Sequence, residues 1–144
     1  TDNCVLVDWD VSLFLNLESI EIGNECFGYV RTFEIDGLNR LKTIKIGNNS
    51  FTHRKNNWGN DKSKSFHILN CESLESIEIG EYSFSDFGGE FELKNLPLLQ
   101  SIRIGTIGRK SFNFYWSSFV IRGIDVILNI VMIRSSKSTN HYIR

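Results

Sequence analysis

The sequence predicts a mainly-β solenoid of about five coils, on three observations: a seven-residue phrase returns at near-regular spacing, six apolar columns hold through every copy, and glycine closes four of the copies. Leu17-Glu-Ser-Ile-Glu-Ile-Gly23 returns as Leu41-Lys-Thr-Ile-Lys-Ile-Gly47, Leu74-Glu-Ser-Ile-Glu-Ile-Gly80 and Leu99-Gln-Ser-Ile-Arg-Ile-Gly105, with successive leucines 24, 33 and 25 residues apart. Eight residues before each leucine stands an aromatic, followed by apolar residues two and five positions later. These are Trp9, Val11 and Phe14; Phe33, Ile35 and Leu38; Phe66, Ile68 and Cys71; and Phe91, Leu93 and Leu96. A fifth, weaker copy uses Phe119, Ile121, Ile124 and Ile127. With the two isoleucine positions of each phrase, the frame has 30 places, all apolar in a chain that is 41% hydrophobic.

Within each repeat, alternation in Phe33-Glu-Ile35 and in Ile44-Lys-Ile46 puts apolar residues on one side of a short extended segment and the residue between them in water. Each repeat therefore carries two short strands. The glycine after the second strand is expected to take positive φ and turn the chain, and Phe27, Phe51, Phe84 and Phe112 are expected to return inward. One such coil cannot bury its apolar edge alone. Coils stacked about 4.8 Å apart give parallel sheets around ladders of like residues. Helices are excluded by the short, β-branched, glycine-punctuated segments.

On these residues the chain resembles the leucine-rich repeat family, and most of all its BspA-like surface-antigen type; Phe66 through Ile79, with Cys71 in place, carries the likeness best. The resemblance implies a right-handed leucine-rich repeat solenoid, an adhesive or ligand-binding role, and a cell-surface or extracellular location. The chain departs from the commoner pattern in two ways: no asparagine ladder is expected after the strand, and glycine stands where proline is usual.

The expected organisation is a lead-in over 1–8, a solenoid over 9–133 with an insertion at 52–65, and a polar tail over 134–144 that lacks the period and frays. The insertion groups His53, Arg54, Lys55, Lys62 and Lys64 around Trp58, a combination suited to an acidic or glycan partner, and it is the candidate partner-binding segment. A smaller insertion, Thr106 to Lys110, precedes the aromatic run 112–116. There Tyr115 aligns with Phe87 and is expected inward, while Phe114 and Trp116 are assigned to edge packing.

Between the paired isoleucines the outward column reads Glu21, Lys45, Glu78 and Arg103, a structural charge ladder of alternating sign. Ser19, Thr43, Ser76 and Ser101 form a hydroxyl column whose charged flanks argue against ice binding. In the fifth copy Val120, Leu128 and Val131 face outward, as a cap or a docking edge.

Chemistry is expected to be absent. The chain has no zinc-protease spacing, phosphate-binding glycine loop, nucleophile elbow or EF-hand, so no enzyme activity, cofactor or metal is expected. His53, His67 and His141 are not brought together by the frame, and His67 aligns with Glu34 and Glu92 as a surface ladder. Cys4, Cys26 and Cys71 are too few for a disulfide framework; Cys26 aligns with Ser50, Ser83 and Ser111 and Cys71 with Leu38 and Leu96, both as buried thiols. Asn48-Asn-Ser50 is an N-glycosylation pattern with meaning only in a eukaryotic secretory setting.

The 16 Lys plus Arg nearly balance 17 Asp plus Glu, which disfavours nucleic acid. The richest apolar run, Val126 to Ile133, is far short of the roughly 20 residues of a spanning helix. A start at Thr1 without a leader is read as a processed protein or a piece of a longer array, with further repeats continuing end to end. The function expected is a non-catalytic protein- or glycan-binding repeat module. The alternatives are a purely structural spacer and a regulatory repeat domain of a larger multidomain protein.

Overall fold

The computed structural model describes residues 9–53, 60–106, 109 and 111–124, together with the backbone of 129–132 and 141–143. Among them the fold is all-β: ten short strands lie in two parallel sheets, and no helix occurs. β1 (Ser19–Ile22), β3 (Thr43–Ile46), β5 (Ser76–Ile79), β7 (Ser101–Ile104) and β9 (Asn129–Met132) form the first sheet in that order. β2 (Thr32–Asp36), β4 (Ser65–Leu69), β6 (Glu90–Lys94), β8 (Ser118–Arg122) and β10 (His141–Ile143) form the second. The chain alternates between the sheets, one strand in each per repeat, as in a solenoid. The repeat frame sets the register without a slip: Ile44 pairs with Ile77 and Ile77 with Ile102, while Phe33 pairs with Phe66 and Phe66 with Phe91.

The inward columns make one continuous core. Trp9, Phe33, Phe66, Phe91 and Phe119 stack in one aromatic ladder, with centroids 4.8 Å apart at its regular centre, Phe33–Phe66 and Phe66–Phe91. Phe27, Phe51, Phe84 and Phe114 stack in a second, and the two ladders meet edge to face through Phe33–Phe51, Phe66–Phe84 and Phe91–Phe114. Offset stacks and edge-on contacts are the arrangements the ring quadrupole favours, each adding about 0.5–1.5 kcal/mol beyond burial.

Three inward assignments change. Phe14 is 59% exposed, and among the described residues no strand precedes β1. After Gly105 the expected register is shifted by two residues. Phe114, not Phe112, continues the second ladder; Asn113, not Ser111, occupies the buried polar position next to it; and Tyr115 is only half-buried.

That polar position ties each repeat to the one before. The Ser50 hydroxyl donates to the Gly23 carbonyl at 2.7 Å and accepts the Cys26 N–H at 3.1 Å; Ser83 does the same with Gly47 and Ser50, and Asn113 donates to the Gly80 carbonyl. In a buried hydroxyl with both roles filled, the bonds made offset those lost to water.

The glycines work differently from expectation. Of Gly23, Gly47, Gly80 and Gly105, Gly105 alone has positive φ. Gly47 and Gly80 are glycines because repeats touch there. A Cβ on Gly80 would stand 2.6 Å from the carbonyl carbon and oxygen of Gly47, and one on Gly47 would stand 2.8 Å from the carbonyl carbon of Gly23.

Asparagine ladders, not expected, are present at two corners. Asn24 Oδ1 accepts the Asn48 N–H at 2.7 Å and Asn48 Oδ1 accepts the Glu81 N–H at 2.8 Å. At the other corner Asn95 donates to Asn70 and Asn70 to Asp36. The tail does not run free throughout either: His141–Ile143 pairs in parallel with β8. Cys4 and Leu128 lie outside the described residues.

Candidate functional site

The insertion is held at both stems by one buried carboxylate, Asp86. Its Oδ2 accepts the His53 N–H at 3.1 Å on the entering side and the Lys64 ammonium at 2.7 Å on the leaving side. The chain also returns through backbone bonds, Asp61 N–H to the Asp86 carbonyl and Gly88 N–H to the Asp61 carbonyl. Lys64 and Asp86 side chains are 4% and 5% exposed, and the Lys64 ammonium lies 5.7 Å from the centre of the Phe87 ring. Lys64 is thus a structural group, not the partner-facing one expected from sequence. A buried pair of this kind is hard to break: removing one partner leaves an uncompensated charge, at a cost of about 3–5 kcal/mol.

Asp61 organises the leaving stem. Its carboxylate accepts the Ser63 N–H and hydroxyl, at 3.0 and 2.6 Å, and lies 3.4 Å from Arg31, whose guanidinium also donates to Ser63 Oγ. The Ser63 hydroxyl holds the Asp61 carboxyl below the usual carboxylate range, burial opposing it. At the entering stem the exposed His53 ring packs edge-on to Tyr29 at 3.9 Å between centroids, and Tyr29 is itself 52% exposed. Lys62 is exposed. Arg54, Lys55 and Trp58 lie outside the described residues, between these clamped ends.

The charge ladder has the register expected: Glu21 pairs in position with Lys45, Lys45 with Glu78, and Glu78 with Arg103, and the column passes to Val131. Among the described residues no ion pair within 4 Å joins its members. Neighbours of opposite charge on this exposed face therefore act through water, each step adding at most a fraction of a kcal/mol, about 0.2–1. Beside it runs a shallow groove of about 440 Å³, lined by Lys45, Glu78, Arg103, Asn24, Asn48 and Thr106.

On the opposite sheet His67 stands between Glu34 and Glu92 as expected, its Nδ1 2.9 Å from Glu92 Oε1. Val120 continues that outward column, and β10 pairs beyond it. Cys26 and Cys71 are buried thiols outside any disulfide, and burial pushes the Cys71 thiol above its ordinary range. Ser50 of the glycosylation pattern is fully buried.

The sequence frame missed Asp86, the residue that shapes the insertion, because it lies 22 residues beyond Lys64 in an outwardly unremarkable Ser-Asp-Phe segment. The signal available was the insertion itself: a long loop must find a partner for its stem in a neighbouring repeat. Among the described residues no helix is long and apolar enough to cross a membrane. Compared with models of protein families, with curated protein sequences and with solved structures, the chain matches none of them.

Proposed function

We propose that the chain is a right-handed leucine-rich repeat solenoid of the BspA-like type, with four regular coils and a degenerate fifth, and that it acts as a non-catalytic module binding a protein or a glycan within a longer surface-displayed array. The observation that carries this reading is the clamped insertion. Asp86 fixes both stems of a segment whose intervening residues, Arg54, Lys55 and Trp58, are cationic and aromatic. Fixed stems lower the ordering cost a loop incurs on binding, and a Trp among cations suits an acidic protein surface or a sugar ring.

The test is a binding screen of the whole chain on a glycan microarray and an array of purified extracellular proteins, followed by two variants. Deletion of residues 55–58 spares Asp61, whose backbone holds the stem, so the fold is expected to be retained. It is expected to weaken saturable binding by about 2 kcal/mol, the usual size of a Trp hot spot, and more than Lys45→Ala with Arg103→Ala does. Equal affinity after the deletion moves the site to the groove beside the ladder. A spacer is the second reading, supported by the near-neutral alternation of Glu21, Lys45, Glu78 and Arg103, and it stands if neither array gives saturable binding.

A further inference from the structure

We propose that His67, Glu90 and Glu92 form a site for a divalent first-row transition ion of the zinc type on the outer face of the second sheet, independently of any partner at the insertion. The residues are brought together by register alone. β4 and β6 are neighbours with His67 opposite Glu92, and Glu90, two residues before Glu92, projects to the same face. One donor atom from each of the three lies within 4.8 Å of the others, and His67 Nδ1 is 2.9 Å from Glu92 Oε1.

Zinc binds imidazole nitrogen and carboxylate oxygen at about 2.0–2.2 Å, so neighbouring donors in its shell stand roughly 3 Å apart. The His67–Glu92 spacing already meets this. The Glu90 side chain is exposed and unconstrained, and it closes the remaining gap by rotation. Three protein donors on one side leave the solvent side for water.

The electrostatics favour a cation. At this level of the sheet the outward residues run Glu34, His67, Glu92, so two carboxylates flank one imidazole, Glu90 adds a third, and no cationic side chain stands in the row. His67 and Glu92 side chains are only 19% and 22% exposed, which weakens water's screening of that charge. Glu34, on the far side of the ring by register, is placed as the outer carboxylate that commonly orients a metal-bound imidazole. The nitrogen donor selects against magnesium and calcium, which take oxygen shells.

The experiment is calorimetric titration of the full chain with Zn²⁺, with Co²⁺ absorption as a spectroscopic probe and melting temperature as a third readout. One-to-one binding, a cobalt band of a nitrogen–oxygen shell and a zinc-dependent rise in melting temperature are expected. His67→Gln should abolish all three. Glu90→Gln lies outside the His67–Glu92 contact, so it should weaken zinc at least about tenfold while leaving the metal-free melting temperature unchanged. The proposal is overturned if the unaltered chain binds neither ion saturably, if His67→Gln still binds, or if Glu90→Gln binds as well as the parent, which would reduce the cluster to a His67–Glu92 pair.

Discussion

Two corners of each repeat demand the same backbone conformation and receive opposite residues. At the corner after the second sheet's strands, Gly37, Asn70, Asn95 and Gly123 have φ of 75°, 53°, 55° and 64°; at the corner that follows the first sheet, Phe27, Phe51, Phe84 and Phe114 have 59°, 56°, 59° and 51°. Glycine and asparagine suit that conformation, and phenylalanine does not, at about 1–2 kcal/mol for an L residue with a full side chain. The difference lies in where the side chain goes. Asn70 and Asn95 face water, so local preference decides; Phe51 and Phe84 are fully buried and stacked on both sides, where burial of about 1.5–3 kcal/mol and two ring contacts outweigh the local cost.

Putting the residue best suited to positive φ into each corner tests that contrast most directly. Phe84→Gly relieves the local strain yet is expected to destabilise by about 3–5 kcal/mol, read as a lower denaturant midpoint at unchanged slope. A loss below about 1 kcal/mol would show that backbone preference governs both corners.

Gly80→Ala comes next. Its φ is ordinary but its Cβ would meet the Gly47 carbonyl, so a loss of about 1–3 kcal/mol is expected, and a neutral result would show that the repeats can part there. Asn95→Gly keeps the conformation and gives up one exposed side-chain bond to Asn70, so it should cost under about 1 kcal/mol, with Asn95→Ala costing more.

Cys71 probes the same boundary without a substitution. Cys71 follows exposed Asn70 but is fully buried, and its thiol, pushed up by burial, is less ionised than an ordinary cysteine at any pH near its titration. Its labelling by a thiol reagent should therefore match the rate of unfolding and stay slow as pH rises through the usual thiol range. Fast native labelling would place the boundary between the solvent-facing corner and the core one residue further in.

The columns were legible because period-two burial and repeat spacing are both written in one-dimensional order: Ile44, Ile77 and Ile102 pair as their positions in the phrase require. What the corners do was not. Ser111-Phe112 and Asn113-Phe114 both read as a small polar residue followed by a ring, like Ser83-Phe84, and packing chose the second. Gly47 and Gly80 looked like turn residues, but their requirement comes from a backbone one repeat away. Asn24 and Asn48 each follow glycine, a recurrence visible in the sequence, but the bond from each to the next repeat is visible only in the fold. At the candidate site, the cationic insertion was legible from composition, while the removal of Lys64 from it was not, since Asp86 belongs to no column. His67 beside Glu92 followed from alignment; Glu90 joined them because the same frame places it two residues earlier on the same face.

The single carboxylate that closes both stems also sets an order in time. His53 and Lys64 precede Asp86 in the chain, so the carboxylate that both stems share in the fold is made after either of them. Neither stem has its buried acceptor until that later segment is in place. Closure of the insertion is thus coupled to the folding of the repeat that carries Asp86.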